Sequence, residues 1–173
     1  MGVVTVVTRP LTAADIPQVL AIENEVFPAP WTEWMFRDEL AAAGRRWLAI
    51  ERRGTIIAYG GIMVVDGDGH VMNLAVAPGH RRRGLATGML LALVDEALGL
   101  GASHLTLELR VSNTPARSLY ERFGFTAVGV RPGYYDDPNG RVDALIMWLH
   151  DLPAAGQRIA TLLGPPVAMR GAQ

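Results

Sequence analysis

The sequence contains no cysteine. That excludes a disulfide framework, a thiol nucleophile and any thiolate-bound zinc or iron–sulfur centre. It contains no lysine either, so all 16 basic residues are arginine. Schiff-base chemistry and the phosphate-binding lysine of a Walker loop fall away with it. Neither sign of charge dominates: 16 basic and 17 acidic residues give a net charge of −1. This argues against a chain-wide polycation, and the expectation is no direct nucleic-acid partner. Long hydrophobic runs are also missing. The apolar stretch 89–94 is stopped by Asp95 and Glu96, far short of a bilayer span. The run 3–7 is short and has no basic flank before it, so it does not read as a signal peptide. A soluble, cytoplasmic protein with no membrane partner is expected. The 4 histidines are dispersed without metal-ligand spacing, and no metal is expected. His70 and His150 read as surface residues and His80 as a loop residue.

What is present suits one ordinary domain. The chain has 173 residues, half of them hydrophobic. A chain of that length buries roughly 70% of the surface its unfolded form exposes. The β-branched stretch 3–9 reads as a strand. Thr12 and Asp15 mark the start of a helix over 13–26, with Ile16, Leu20 and Val26 among its apolar residues. Pro28 and Pro30 end it, and Thr32 caps a second helix to about residue 43, where Gly44 stands at a C-cap. Strands at 47–52, 55–65 and 70–77 follow, joined by tight turns at Arg52-Arg53-Gly54 and Asp66-Gly67-Asp68-Gly69. A long helix over 84–98 and a strand over 104–110 come next. Pro115 opens a further helix capped by Thr114, which runs to about residue 123. Strands at 125–131 and 142–149 complete the pattern. This is a mixed sheet with helices, α/β or α+β by class. Beyond Asp151 the pattern suggests one short helix around 159–163, then Gly164, Pro165, Pro166 and a disordered polar tail.

The most informative segment runs from Leu74 to Thr87. A strand ends, Arg81, Arg82 and Arg83 follow, Gly84 turns and a helix begins. Helix N-termini carry unpaired N–H groups and partial positive charge, so arginines are unfavourable there unless an anion sits between them. Small residues at Gly84 and Ala86 would let a pyrophosphate approach the backbone, and Arg82 and Arg83 could add charge-assisted bonds. A basic helix start on a solvated surface is the plainer reading of the same residues. A dinucleotide-binding loop fits poorly, because the first glycine of that fingerprint is missing.

Arg81-x-x-Gly84-x-Ala86 after Leu74-Ala-Val-x-Pro78 resembles the acetyl-coenzyme A loop of the GNAT acetyltransferase superfamily. The stretch from Asn113 through Leu119-Tyr120 to Gly124-Phe125 resembles that superfamily's second half. Ala86 stands where many members carry glycine. Three local patterns further resemble the ribosomal-protein alanine N-acetyltransferases, the RimI family: Pro30-Trp31-Thr32, Glu108-x-Arg110-x-Ser112-Asn113, and Arg131-x-x-Tyr134-Tyr135 with Asp143-Ala144 and Met147. The resemblance covers about residues 3–150. It implies a single acetyltransferase domain over 1–150, with 151–173 as a partly disordered C-terminal extension. The implied fold has a central, mostly antiparallel sheet flanked by helices. The implied co-substrate is acetyl-CoA, and the implied partner is the N-terminal segment of a ribosomal protein or other peptide, acetylated by a monomer or weak dimer.

The same resemblance implies direct transfer from thioester to amine. The amine must be neutral and the departing thiolate must be protonated. An α-amine near ~7.8 is roughly a third neutral at physiological pH, whereas a lysine near ~10.4 needs roughly 4 kcal/mol more help. Glu108 is the implied base. It lies in the alternation His104, Thr106, Glu108, Arg110, which a solvent-facing polar stripe would also give. Tyr120 is the implied acid, although its helical spacing with Ala116, Leu119 and Phe123 also suits a core tyrosine. Leu74, Ala75 and Val76 would present backbone groups to the pantetheine arm, which requires their strand to splay from the Glu108 strand. Arg81, Arg82, Arg83, Gly84, Leu85, Ala86 and Thr87 would hold the phosphates. Asn113 would contact the pantetheine arm, or act as a second cap beside Thr114. Trp31, Tyr134 and Tyr135 would wall the peptide channel, or simply pack. Other acceptors remain open within the same fold: a protein lysine, a small amine or an antibiotic. So does a non-catalytic acetyl-CoA-binding module, which retention of both Glu108 and Tyr120 disfavours.

Overall fold

The computed structural model describes residues 6–163. The proposed strand residues 3–5 and the tail 164–173 lie outside them. Strand β1 (Val6–Pro10) leads through a 3₁₀ turn (Ala13–Asp15) into α1 (Ile16–Val26) and α2 (Glu33–Ala41). Strands β2 (Arg45–Arg52), β3 (Thr55–Val65) and β4 (Asp68–Val76) follow, then α3 (Leu85–Gly99), β5 (His104–Arg110) and α4 (Thr114–Phe123). Strands β6 (Thr126–Asp137) and β7 (Gly140–Leu149) precede α5 (Leu152–Leu163).

The strands form a 7-stranded sheet in the order β1-β2-β3-β4-β5-β7-β6. Every neighbouring pair is antiparallel except β4 with β5. Parallel neighbours need a crossover, and α3 supplies it. The two hairpin turns work because Arg53 and Gly54 (φ 53° and 79°), and Asp66 and Gly67 (φ 50° and 87°), take left-handed conformations that match strand twist. One face of the sheet carries the larger core, where α3, α4 and α5 pack on Leu48, Ile62, Leu105, Leu107 and Met147. The other face carries α1 and α2 against Trp47, Ala49, Tyr59 and Ala75.

The burial of α1 refines the sequence reading, and the last helix differs from it. In α1 the buried residues are Ile16, Val19, Ile22 and Glu23, while Leu20 and Val26 are only partly buried. The last helix begins at Leu152, not near 159, and sends Leu152, Ala155 and Ile159 into the larger core. Gly156 lies within this helix. In the fold, a Cβ there would stand 2.8 Å from Leu98 Cδ1, so glycine lets α5 lie close against α3. That outer cover explains why Met89 to Val94 are all buried although α3 has no polar face over those turns.

Candidate active site

Strands β4 and β5 pair only where Asp68, Gly69 and His70 meet His104, Leu105 and Thr106. Beyond that they diverge. The cause is local: the β3–β4 register slips between Gly61 and Ile62, which leaves Met72 as an extra residue and bends β4 away. Leu74, Ala75 and Val76 still pair with Gly60, Tyr59 and Ala58 on one side, and their other edge borders the gap. This is the splay that the sequence reading required.

At the end of β4, a 3₁₀ turn (Pro78–His80) delivers the arginines to the start of α3. Arg81 Nε donates to the Val76 carbonyl at 3.2 Å, which pins the loop to the strand it leaves. Arg82 (φ 62°) and Gly84 (φ 77°) are left-handed, and Arg82 and Arg83 are exposed. The first intrahelical bond runs from Gly88 N–H to the Gly84 carbonyl at 2.9 Å. The N–H groups of Leu85, Ala86 and Thr87 precede it and are free of the helix ladder. Leu85 and Ala86 rest partly buried on the core, and Thr87 Oγ1 accepts from Arg122 Nη2 at 3.3 Å. An open gap ending at such a helix start suits an extended amide-bearing arm that terminates in phosphates. His80 Nδ1 in the same turn is buried and has no partner among the described residues. Asn113, rather than Thr114, caps α4: its Oδ1 accepts from Ala116 N–H at 3.3 Å, and Thr114 is the first helical residue.

Glu108 projects from β5 and is held at both oxygens. Arg131 Nη1 lies 3.1 Å from Oε1, and His70 Nε2 lies 3.5 Å from Oε2, with the Glu108 side chain 14% exposed. His70 is therefore no simple surface residue. Its Nδ1 lies 2.8 Å from Thr106 Oγ1, and burial draws its pKa below the ordinary value, with Glu108 opposing and Arg131 assisting. Strand pairing explains the miss, because His70 sits directly beside Thr106 in the short parallel ladder. His150 is exposed.

Tyr120 is buried on α4, with its ring 5.6 Å from Phe125. Burial pushes the pKa of its hydroxyl up to about 12. It is a protonated phenol throughout the physiological range. A register shift between Arg131 and Tyr135 re-aims this part of β6. There the Arg131 guanidinium stacks 4.9 Å from the Tyr134 ring, and Arg110 stacks 5.0 Å from Tyr135. The two tyrosine rings meet edge to face at 4.9 Å. Tyr134 is exposed, and burial followed by the Glu108 charge raises the pKa of Tyr135.

Trp31 is placed differently. Its ring packs on Phe36 at 5.4 Å and Trp47 at 5.5 Å, and no ring contact joins it to Tyr134 or Tyr135 among the described residues. Its N–H donates to Glu23 Oε1 at 2.9 Å. Sequence reasoning passed over Glu23. The signal was its spacing from Ile16 and Val19, which sets a carboxyl on the buried stripe of α1.

A splayed strand pair, a helix start with unclaimed N–H groups and a mostly buried carboxylate on β5 are features that suit acyl transfer. The chain belongs to the GNAT acetyltransferase family, whose model matches residues 16–125, and it is an N-acetyltransferase. That family uses acetyl-CoA. Among its relatives is the ribosomal protein bS18-alanine N-acetyltransferase of Escherichia coli, 36% identical over 141 residues, which span 80% of this chain and 93% of that one. A crystal structure of the E. coli ribosomal-protein-S18-alanine N-acetyltransferase superposes with a TM-score of 0.78 at 30% identity, covering 98% of both chains. Arabidopsis thaliana NAA60 in complex with acetyl-CoA shares the fold, with a TM-score of 0.75 at 18% identity over 84% of this chain and 98% of that one.

Proposed function

We propose that this enzyme acetylates the N-terminal alanine amine of ribosomal protein bS18, in the cytoplasm, with acetyl-CoA as donor. The observation that carries the reading is the E. coli relative of that activity, which matches over 80% of this chain and 93% of its own length. The gap geometry supports the chemistry. Bound acetyl-CoA would supply the acetyl group as a thioester. Leu74, Ala75 and Val76 border the gap as a free strand edge that suits an amide-bearing arm. The N–H groups of Leu85, Ala86 and Thr87, with Arg82, Arg83 and the turn at Gly84, hold the phosphates; Arg81 orders this loop through Val76. Asn113 keeps the start of α4 in place beside the arm.

Glu108 takes the proton of the incoming amine, directly or through a water. Arg131 and His70 orient its two oxygens for that task. An α-amine near ~7.8 needs only modest help, which a surface-connected carboxylate can give. Tyr120 carries a proton at Oη and delivers it to the departing sulfur. Tyr134 and Tyr135 form one wall of the acceptor channel, and Trp31 anchors the loop that forms the other.

The test is acetyl transfer to two peptides, with the modified atom located by mass spectrometry. One begins with the free alanine of bS18; the other has a blocked N-terminus and an internal lysine. Modification of the alanine amine alone supports the reading. Modification of lysine alone, or of neither, overturns the acceptor assignment and leaves the fold and family standing.

A further inference from the structure

Glu23 is the most deeply buried acid among the described residues that the mechanism leaves unused, with 1% of its surface exposed. Three donors from three different segments converge on its carboxyl. Trp31 N–H donates to Oε1 at 2.9 Å from the loop between α1 and α2. Asn73 Nδ2 on β4 donates to Oε2 at 3.2 Å. The Tyr59 hydroxyl on β3 donates to the same oxygen. No ion pair of the described residues includes Glu23, so these hydrogen bonds alone compensate its burial. A buried carboxyl without a cation costs far more than an apolar side chain of the same size, and packing alone does not account for it.

The positions of the donors tell what it holds. Asn73 directly follows Met72, the extra residue that bends β4 from β5, and directly precedes the free edge Leu74–Val76. Trp31 follows Pro30 and closes a loop in which Pro28 and Pro30 have no N–H to offer. Its backbone N–H ties that loop through Glu23 on α1 to Tyr59 and Asn73 of the sheet, beside the packing of its ring on Trp47. We propose that Glu23 is a positioning residue: its carboxyl is the shared anchor that fixes the α1–α2 loop against the bulged segment of β4 and so sets the acceptor side of the gap. This rests on the acetyl-transfer reading for its kinetic consequence, but the anchoring itself does not.

Two near-isosteric variants separate anchoring from packing. Glu23→Gln keeps one oxygen for Trp31 N–H, and the Tyr59 hydroxyl and Asn73 amide can rotate to meet its Nε2. Glu23→Met fills the space but accepts from none of the donors. E23Q should keep acceptor KM, kcat and acetyl-CoA KM within about threefold of the wild-type chain. E23M should raise acceptor KM at least about tenfold, with kcat and acetyl-CoA KM within about threefold, since the lost hydrogen bonds lie on the acceptor side. Amide exchange followed by mass spectrometry should show faster exchange over 27–32 in E23M and not in E23Q, with 104–110 unchanged in both. Equal acceptor KM and equal loop exchange in the two variants overturn the proposal. Should E23M fail to fold, N73A removes the β4 arm alone and should raise acceptor KM by about threefold or more; an unchanged value overturns the proposal as well. If the wild-type chain does not modify the alanine peptide, the acceptor reading has failed, and loop exchange still decides the role of Glu23.

Discussion

The same carboxyl should leave a measurable trace in stability. Burial pushes the Glu23 pKa from its ordinary 4.5 up to about 7, against the opposing hydrogen bonds from Trp31 and Asn73. Between those values the folded chain holds a proton that the unfolded chain has released. The contribution of Glu23 to stability must therefore fall as pH rises through this window and level off above about pH 7. A rise from 4.5 to about 7 corresponds to about 3 kcal/mol. Replacing Glu23 by Gln removes the titration and keeps the volume. Urea unfolding of both proteins, followed by tryptophan fluorescence at steps from pH 4.5 to 8, gives the difference directly. E23Q should gain on the wild-type chain by about 3 kcal/mol across that range, most of it between pH 5 and 7. Other groups do not confuse the difference. Asp15, held down to about 2 by its Arg9 partner, titrates below the window, and its contribution is lost only as pH falls toward that value. His70 has a lowered folded pKa, so it adds stability as pH rises toward its ordinary 6.5, equally in both proteins. A stability difference that stays flat within about 1 kcal/mol from pH 4.5 to 8 would falsify the assignment of Glu23 as the buried, displaced acid.

Three further outcomes are expected. Tyr120→Phe should lower kcat by about 100-fold or more with acetyl-CoA affinity unchanged within about twofold, and a kcat within about threefold removes Tyr120 from the proton path. Replacing both Arg82 and Arg83 by alanine should raise acetyl-CoA KM by about tenfold to a hundredfold, with the loss shrinking for a donor truncated before its phosphates; equal KM for intact and truncated donors places the phosphates elsewhere. Ile159→Ala should cost about 2–5 kcal/mol in urea unfolding, whereas the exposed neighbour Arg158→Ala should stay within about 0.5 kcal/mol, and equal small effects would show that α5 is not part of the cooperative core.

Much of the frame was legible because local chemistry dictates it. The turn residues Arg53-Gly54 and Asp66-Gly67 announce hairpins, Thr32 announces the start of α2, and the alternation from His104 to Arg110 announces a half-buried strand. Each signal depends on neighbours in the chain. The left-handed turn at Gly84 and the helix start after it were legible for the same reason. Where the reading went wrong, the deciding partner was distant. The last helix reads as a short one around 159–163 until Leu152 and Ala155 are placed in the larger core. His70 reads as solvated until the parallel ladder sets it beside Thr106 and Glu108. Glu23 reads as one polar residue among several until Trp31, Tyr59 and Asn73 turn donors toward it.

The chain alone therefore determined most of its elements and their order, since propensity and turn geometry act over a few residues. Only the tertiary structure decided the gap itself. The bulge at Met72, the short β4–β5 ladder and the convergence of Arg131 and His70 on Glu108 arise from registers between strands distant in sequence, and no local preference encodes a register.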